Sequence, residues 1–482
     1  MEKSYITTSI VYTNAFPHIG FALESVQADV LARWQRKKGK DVFFLTGTDE
    51  HGAKVAKSAK AKGTTPEDFV NEISSKVKEL KEVLDLSNDE FIRTSDSKKH
   101  WPSVIKVWKK LKENNDIYKK EYEGLYCTGC EAFITRKDLE GGKCRIHKKE
   151  PEPVKEENYF FRLSKYSEKI KEAIENGEMK VVPESRKNEM LGFLKKGLED
   201  VSFSRPRKDL KWGIPVPDDK TQTIYVWADA LTNYLSGIGY EGDEEKFKKY
   251  WPPDVHCVGK DILKFHALIW PAMLFSLGLG LPKTVFVHGF VSVEGQKMSK
   301  SLGNVIDPFE LVEKYNSSDA LRYYLLREIP ASGDGDFTYK KFEDRYNYDL
   351  ASGIGNLVSR TRAMAEKVMP LDINPKLVFK KKVEETREKS DSFLKEFRFH
   401  DALKEIWGLV AFCDKYIDRE KPWEKENKQA IGNLIFALRE IAEILYPFLP
   451  ETSEKVKEAV EQDSSLYFKH KKTEALFPRL RG

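Results

Sequence analysis

Apolar residues recur with two different periods along this chain, and the change from one to the other divides it. Tyr5 to Val11 is rich in Ile, Thr and Val and reads as a buried strand, closed by the turn-prone run Thr13-Asn14-Ala15-Phe16-Pro17. From His18 to Lys38 the apolar residues Ile19, Ala22, Leu23, Val26, Val30, Leu31 and Trp34 fall at helical spacing, and Gly39 supplies the stop. Asp41 to Thr46 is a second strand, so the opening unit is strand, helix, strand, a crossover that is parallel and right-handed. Open parallel sheets bind ligands beyond the carboxyl ends of their strands, which puts His18 and the loop Gly47-Thr48-Asp49-Glu50-His51-Gly52 on one rim. Between Tyr118 and Lys155 the pattern breaks into a Gly-rich and Lys-rich stretch carrying cysteines, the mark of an insertion. Sheet-like patterning returns at Thr223 to Trp227, Val255 to Gly259 and Thr284 to Val293, with a helix over Ile262 to Leu277. The sheet domain is therefore split. After Asn347 strand signals become scarce. Amphipathic stretches then run over Leu350 to Glu366, Lys381 to Phe397, His400 to Ile417 and Lys428 to Leu445, which together predict a helical bundle.

Composition narrows the class. The 482 residues exceed one ordinary core, so two to four domains of roughly 100 to 200 residues are expected. A charged fraction of 33% beside a hydrophobic fraction of 40% describes a folded globular protein rather than a disordered one. The net charge of +5 permits a nucleic-acid partner without demanding one. The longest apolar stretch, Ala267 to Leu281, is broken by Pro271 and is shorter than the roughly 20 residues that span a bilayer, so no membrane segment is expected. Met1 to Tyr5 enters the strand pattern at once, leaving no room for a leader. Five cysteines, three of them clustered, argue against a secreted disulfide framework and for a reducing cytoplasm.

Three constellations carry chemistry. Pro17-His18-Ile19-Gly20 stands where a helix starts after a strand, where backbone N–H groups and the helix dipole favour a phosphate, and the imidazole adds a donor. Lys297-Met298-Ser299-Lys300-Ser301 lies between Gly295 and Gly303, so two cations ride on a segment able to close over a departing pyrophosphate. No Walker A loop accompanies them. Cys127-Thr128-Gly129-Cys130 and Cys144-Arg145-Ile146-His147 form two knuckles whose four ligands suit one tetrahedral structural zinc, which staples an insertion too small and polar for a core of its own. Cys257 and Cys413 lie in apolar patterns and read as buried and inert.

On these residues the chain resembles class I aminoacyl-tRNA synthetases, whose signatures are His-Ile-Gly-His and Lys-Met-Ser-Lys-Ser. The second is intact, and Phe21 replaces the last histidine of the first. Within the class it is most similar to the methionyl-tRNA synthetases, over essentially its whole length. The strings that carry this are Tyr12-Thr13-Asn14, Thr48-Asp49-Glu50-His51-Gly52, Tyr225-Val226-Trp227-Ala228-Asp229-Ala230, Gly259-Lys260-Asp261-Ile262, Phe265-His266, Trp270-Pro271-Ala272-Met273 and Val287-His288-Gly289-Phe290. Leu231 stands where some relatives carry proline.

The resemblance implies an α/β fold: a Rossmann-like parallel-sheet catalytic domain split by a zinc-knuckle insertion, followed by an all-α anticodon-binding bundle. The expected boundaries are 1–115 and 223–290 for the catalytic halves, 116–222 for the insertion, 291–346 for the Lys297 loop and stem-contact region, and 347–482 for the bundle. It implies that Ile10, Tyr12, Trp227, Ala230, Tyr234, His266 and Trp270 surround the side chain of L-methionine, and that Asp49 holds its ammonium group. A polarizable thioether suits such an aromatic pocket. ATP, with Mg2+ on its phosphates, falls to Asn14, His18, Gly20, Phe21, Lys297 and Lys300, with His18, Lys297 and Lys300 as the catalytic groups. Asn356 and Arg360, four apart on a helix, and Trp423 would read the anticodon of elongator and initiator tRNA-Met. Apart from the resemblance, Trp423 reads as interhelical core and the polar pair as a solvated face. A monomer is expected, with no added oligonucleotide-binding domain past the bundle. Two alternatives stand beside this reading: a class I synthetase for another amino acid, and a catalytically weakened relative that only binds tRNA.

Overall fold

The computed structural model describes residues 1–127, 132–134, 139–145, 148–298, 303–368, 371, 373–424, 426–460 and 475–480. The chain forms two compact units, one of residues 1–17, 38–79 and 88–287, the other of residues 18–37, 80–87 and 288–482.

The first unit is built on a seven-stranded sheet in the order Lys180–Val182, Thr284–His288, Val255–Gly259, Lys3–Thr8, Asp41–Asp49, Val11–Tyr12, with Glu90–Arg93 also paired to Asp41–Asp49. Lys3–Thr8 runs parallel to Asp41–Asp49, Lys3 opposite Asp41 through Thr7 opposite Leu45, as the strand-helix-strand reading requires. The first strand is shorter than its apolar run. It ends at Thr8 and resumes as Val11–Tyr12, which pairs parallel with Thr48 and Asp49. Tyr5, Leu45, Tyr234, Val258, Trp270 and Met273 belong to one buried core.

Two stretches read as sheet divide differently. Asp219–Ile224 is a strand, antiparallel to Ser204–Pro206 and Pro215–Val216, but Val226–Leu231 is a helix. Five of its six residues are buried, so the stretch shows no one-faced pattern, and a short apolar run of that kind fits helix as well as strand. Thr284 to Val293 is two strands, Thr284–His288 and Val291–Val293, in different sheets. Gly289 lies between them, and a Cβ there would stand 2.1 Å from the carbonyl oxygen of Gly333, so only glycine fits the close approach. The insertion has a sheet of its own, in which Ile117–Cys127 pairs antiparallel with Glu152–Phe161 over ten residue pairs.

The second unit is largely helical, with a small sheet of Val291–Val293, Gln296–Lys297 and Gly335–Phe337. Leu377–Lys395, Phe399–Glu420 and Lys428–Leu445 match the amphipathic stretches closely. The earlier stretch starts as a π-helical segment, Tyr346–Gly355, and continues as the α-helix Asn356–Val368. Ile19–Lys37 also belongs here, and its Asp29 is fully buried. Asp29 accepts from Arg322 at 2.8 Å, Arg33 at 2.8 Å and Ser87 at 2.6 Å. Burial alone would raise its pKa, but the two guanidiniums outweigh it and hold the carboxyl below its usual range. Arg322 places its remaining donors on the carbonyls of Phe448, Leu84, Pro447 and Asp85, at 2.8, 2.9, 3.1 and 3.4 Å, so the buried charge is fully bonded.

Candidate active site

Four buried side chains come together at the strand Val255–Gly259. The Tyr234 ring lies 4.2 Å from His256, 5.7 Å from His266 and 5.8 Å from Trp270, centroid to centroid. Trp270 donates its indole N–H to His256 Nε2 at 3.2 Å, so the neutral ring carries its proton on Nδ1, 2.7 Å from Thr7 Oγ1. Burial, then the neighbouring His266, push the His256 pKa well below the ordinary histidine value. His266 Nδ1 donates to the carbonyl of Ile262 at 3.0 Å, which leaves Nε2 facing the Tyr234 hydroxyl at 2.7 Å. Trp227 stacks on Phe265 with centroids 3.5 Å apart and planes 7° from parallel. Ile10 is half-buried against the same core, and Ala230 is buried on the helix that carries Trp227. The structure thus brings together Tyr234, His266 and Trp270, and adds His256. The sequence offered one signal for His256, a polar residue inside the short apolar run Val255-His256-Cys257-Val258.

Asp49 ends its strand, opposite Tyr12, and its carbonyl accepts from Thr13 N–H at 2.9 Å. Asn14 follows in the turn, its N–H on the carbonyl of Tyr12 at 2.9 Å. The loop beyond is tightly held. Glu50 is fully buried and accepts from Arg93 at 2.7 and 3.0 Å, from Thr48 at 2.6 Å and from Ser95. His51 Nδ1 lies 2.6 Å from Asp229 Oδ2, and His100 Nε2 lies 2.8 Å from Asp229 Oδ1. Asp229, His51 and Glu50 stood inside the matching strings without a role, and His100 stood outside them.

In the second unit, His18 precedes the first turn of Ile19–Lys37 and closes it. Gly20 N–H donates to His18 Nδ1 at 3.0 Å, Ile19 N–H to Ile306 O at 3.1 Å, and Phe21 and Ala22 N–H to His18 O at 3.0 and 3.2 Å. This corrects one expectation: the backbone donors at this helix start are already used, so a phosphate here would be met by the imidazole. In the neutral ring Nδ1 accepts, so the proton sits on Nε2. A Cβ on Gly20 would stand 2.8 Å from His18 Cε1, so glycine is what lets the ring fold back, and Phe21 beside it is half-buried.

Lys297 is exposed in a hairpin, Gln296–Lys297 against Val291–Val293, turned by Glu294 and Gly295, both with positive φ. Asp336 pins the turn, accepting from Gly295 N–H at 2.7 Å and Ser292 Oγ at 2.8 Å. The Lys297 ammonium lies 5.6 Å from the Phe290 ring. Lys300 lies outside the described residues.

Of the proposed zinc ligands, Cys127 and Cys144 are buried around Ile134, whereas Cys130 and His147 lie outside the described residues. Among the described residues no group of three or more His, Cys, Asp or Glu side chains is placed to hold a metal ion. The pair present, two buried thiols within a small cluster, suits half of a tetrahedral zinc site. In the helical region Arg360 donates to Asp418 at 3.0 Å and lies 5.8 Å from the Trp423 ring. Trp423 is 47% exposed, which overturns the interhelical-core alternative for it. Asn356 is exposed one turn before Arg360. No helix among the described residues is long and apolar enough to cross a membrane.

A family model described as tRNA synthetases class I (M) matches residues 4–142 and 134–362, and one described as the anticodon-binding domain of tRNA ligase matches residues 378–477. The methionine–tRNA ligase of Caldanaerobacter subterraneus subsp. tengcongensis is 46% identical over 100% of this chain and 79% of its own length. That of Clostridium acetobutylicum is 47% identical over 95% of this chain and 73% of its own length. Among solved structures, Mycobacterium tuberculosis methionyl-tRNA synthetase bound to methionyl-adenylate superposes with a TM-score of 0.89 at 36% identity, covering 95% of this chain and 94% of that one. By family model, by relatives and by fold, the chain belongs to the methionyl-tRNA synthetases of class I.

Proposed function

We propose that this chain joins methionine to tRNA in two steps. An oxygen of the methionine carboxylate attacks the α-phosphorus of ATP and pyrophosphate leaves. A hydroxyl of the terminal adenosine of the tRNA then attacks the carbonyl of the adenylate and AMP leaves. The observation that carries the choice of amino acid is the buried aromatic cluster of Tyr234, His256, His266 and Trp270, in which burial keeps His256 neutral, on a chain of this family. Such a lining suits a thioether, whose sulfur gains about 1 kcal/mol from each aromatic contact.

In this reading Asp49 anchors the ammonium group, and Ile10, Tyr12, Trp227, Ala230, Tyr234, His266 and Trp270 enclose the side chain. Asn14, His18, Gly20, Phe21, Lys297 and Lys300 hold ATP, whose phosphates bring magnesium with them. The protein works by positioning and by charge placed where it develops, and needs no covalent intermediate. Cys127, Cys130, Cys144 and His147 would hold one zinc, which fixes the insertion rather than taking part in the reaction. Asn356, Arg360 and Trp423 would meet the anticodon of initiator and elongator tRNA-Met, with the bundle at 347–482 following catalytic halves at 1–115 and 223–290. A cytoplasmic location and a monomeric state complete the proposal.

Amino-acid-dependent pyrophosphate exchange, run with a panel of amino acids, tests it. Exchange with methionine well above all others is expected. Preference for another amino acid would turn the assignment to a sister synthetase, and no exchange with retained tRNA binding would leave a binding protein only.

A further inference from the structure

Asp229 is a wholly buried carboxylate on the helix Val226–Leu231, between Trp227 and Ala230, and the reaction as written gives it no part. Each of its oxygens meets one imidazole: Oδ2 faces His51 Nδ1 at 2.6 Å and Oδ1 faces His100 Nε2 at 2.8 Å. Both rings are buried. His51 follows Asp49 by two residues in the same loop. His100 opens the helix Trp101–Glu113, and its Nδ1 lies 2.8 Å from Ser236 Oγ, one short helix beyond Ala230. Burial pushes the Asp229 pKa up, but His51 and His100 outweigh it and the net shift is downward, so the group stays ionised.

An ionised carboxylate with a charge-assisted bond to each oxygen is a stiff link, because breaking either bond strands charge in a dry site. The segments it joins are the loop of the proposed ammonium anchor and the helix of the proposed side-chain pocket. The loop is braced from its other side as well: Trp212 donates its indole N–H to Glu50 O at 2.5 Å, and the Trp212 and Trp101 rings flank His51 at 5.5 and 6.0 Å.

We propose that Asp229 is a positioning residue that fixes the spacing between Asp49 and the pocket around Trp227 and Ala230, and thereby sets how strictly the site rejects an amino acid one methylene longer. An amino acid held at both ends must match that spacing. A pocket of fixed length discriminates one methylene about 10- to 200-fold, and a pocket whose ends can drift loses that margin. The inference rests on the function proposed above.

The test is pyrophosphate exchange by the full chain with methionine and with ethionine, its S-ethyl homologue. Asp229→Asn, of the same shape, should raise the methionine KM about 10-fold, leave the ATP KM unchanged and lower the methionine-to-ethionine ratio of kcat/KM at least 5-fold. His51→Gln, whose amide can still donate to Asp229, should keep most of the selectivity that His51→Leu loses. An unchanged ratio in folded Asp229→Asn, or an equal loss toward methionine, ethionine and ATP, overturns the proposal in favour of a purely structural role. If Asp229→Asn does not fold, the two His51 variants decide, and equal selectivity between them overturns it. Absence of exchange by the unaltered protein would instead overturn the functional reading itself.

Discussion

The indole N–H of Trp270 and the Nε2 of His256 lie 3.2 Å apart, and this one bond fixes the tautomer of a histidine buried against the proposed methionine pocket. A protonated His256 could not accept it. Replacing His256 by alanine leaves the Trp270 donor buried without its acceptor, a loss of about 1–3 kcal/mol. His256→Ala should therefore raise the methionine KM by roughly 10- to 100-fold in pyrophosphate exchange, with the tRNA KM of the transfer step unaffected. The pH dependence follows from the same group. Its folded pKa lies below the ordinary value, so its contribution to stability is present above about pH 6.5 and is lost as pH falls through the folded value. Methionine affinity should weaken on acidification before the protein unfolds, and a pocket equally tight on both sides of that range counts against the neutral tautomer.

Lys297 and Lys300 are proposed to meet charge that develops as pyrophosphate leaves. Removing such a group costs rate rather than ground-state binding, on the order of 100- to 1,000-fold for one well-placed donor. Lys297→Ala and Lys300→Ala should each lower the rate of methionine-dependent pyrophosphate exchange by about that factor, with the methionine KM changing less than about 3-fold. Unaltered exchange in both variants would remove these lysines from the adenylation step.

The parallel sheet was legible because its strands are short apolar runs bounded by turn residues, as at Lys3–Thr8 and Asp41–Asp49. The bundle helices were legible because one face is apolar at helical spacing, as in Lys428–Leu445. Val226–Leu231 was not, since nearly every residue in it is buried and no face stands out. The polar residues that brace the site were hidden for a different reason. His256, Asp229 and His100 owe their state to partners 14 to 249 positions away, and no local pattern encodes a bond across such distances. At His18 the sequence suggested open backbone donors where the structure has them engaged, because a histidine folded back over its own helix start looks, as a string, like one that leaves the start open.

Asp319 is a buried acid whose state changes near neutrality. It accepts the Thr452 N–H at 2.6 Å and stands 4.0 Å from the Arg322 guanidinium, yet burial wins and its pKa is pushed up to about 6. A folded pKa above the ordinary 3.8 means that the folded state holds the proton more tightly, so stability is greatest below that value and falls as pH rises through about 6. Asp319→Asn, which still accepts from Thr452 but cannot ionise, should gain on the order of 2–3 kcal/mol on the unaltered protein between pH 4 and pH 8. Urea unfolding at the two pH values measures this, and an equal difference at both would show that Asp319 stays ionised throughout.

Trp423 offers a test of the helical region that leaves adenylation untouched. Its ring is 47% exposed beside the Arg360 guanidinium, and Arg360 is itself tethered to Asp418, so a flat apolar surface is held next to a cation. A single-stranded base could stack on such a surface, and loss of one base–aromatic contact costs about 1–3 kcal/mol. Trp423→Ala should lower kcat/KM for methionyl transfer to tRNA by roughly 10- to 100-fold, with methionine-dependent pyrophosphate exchange unchanged. Arg360→Ala should weaken transfer as well, and more so at low salt, because it also removes a charge from the RNA-facing surface. If the two activities fall together in Trp423→Ala, the ring supports the fold of the bundle and does not meet the anticodon.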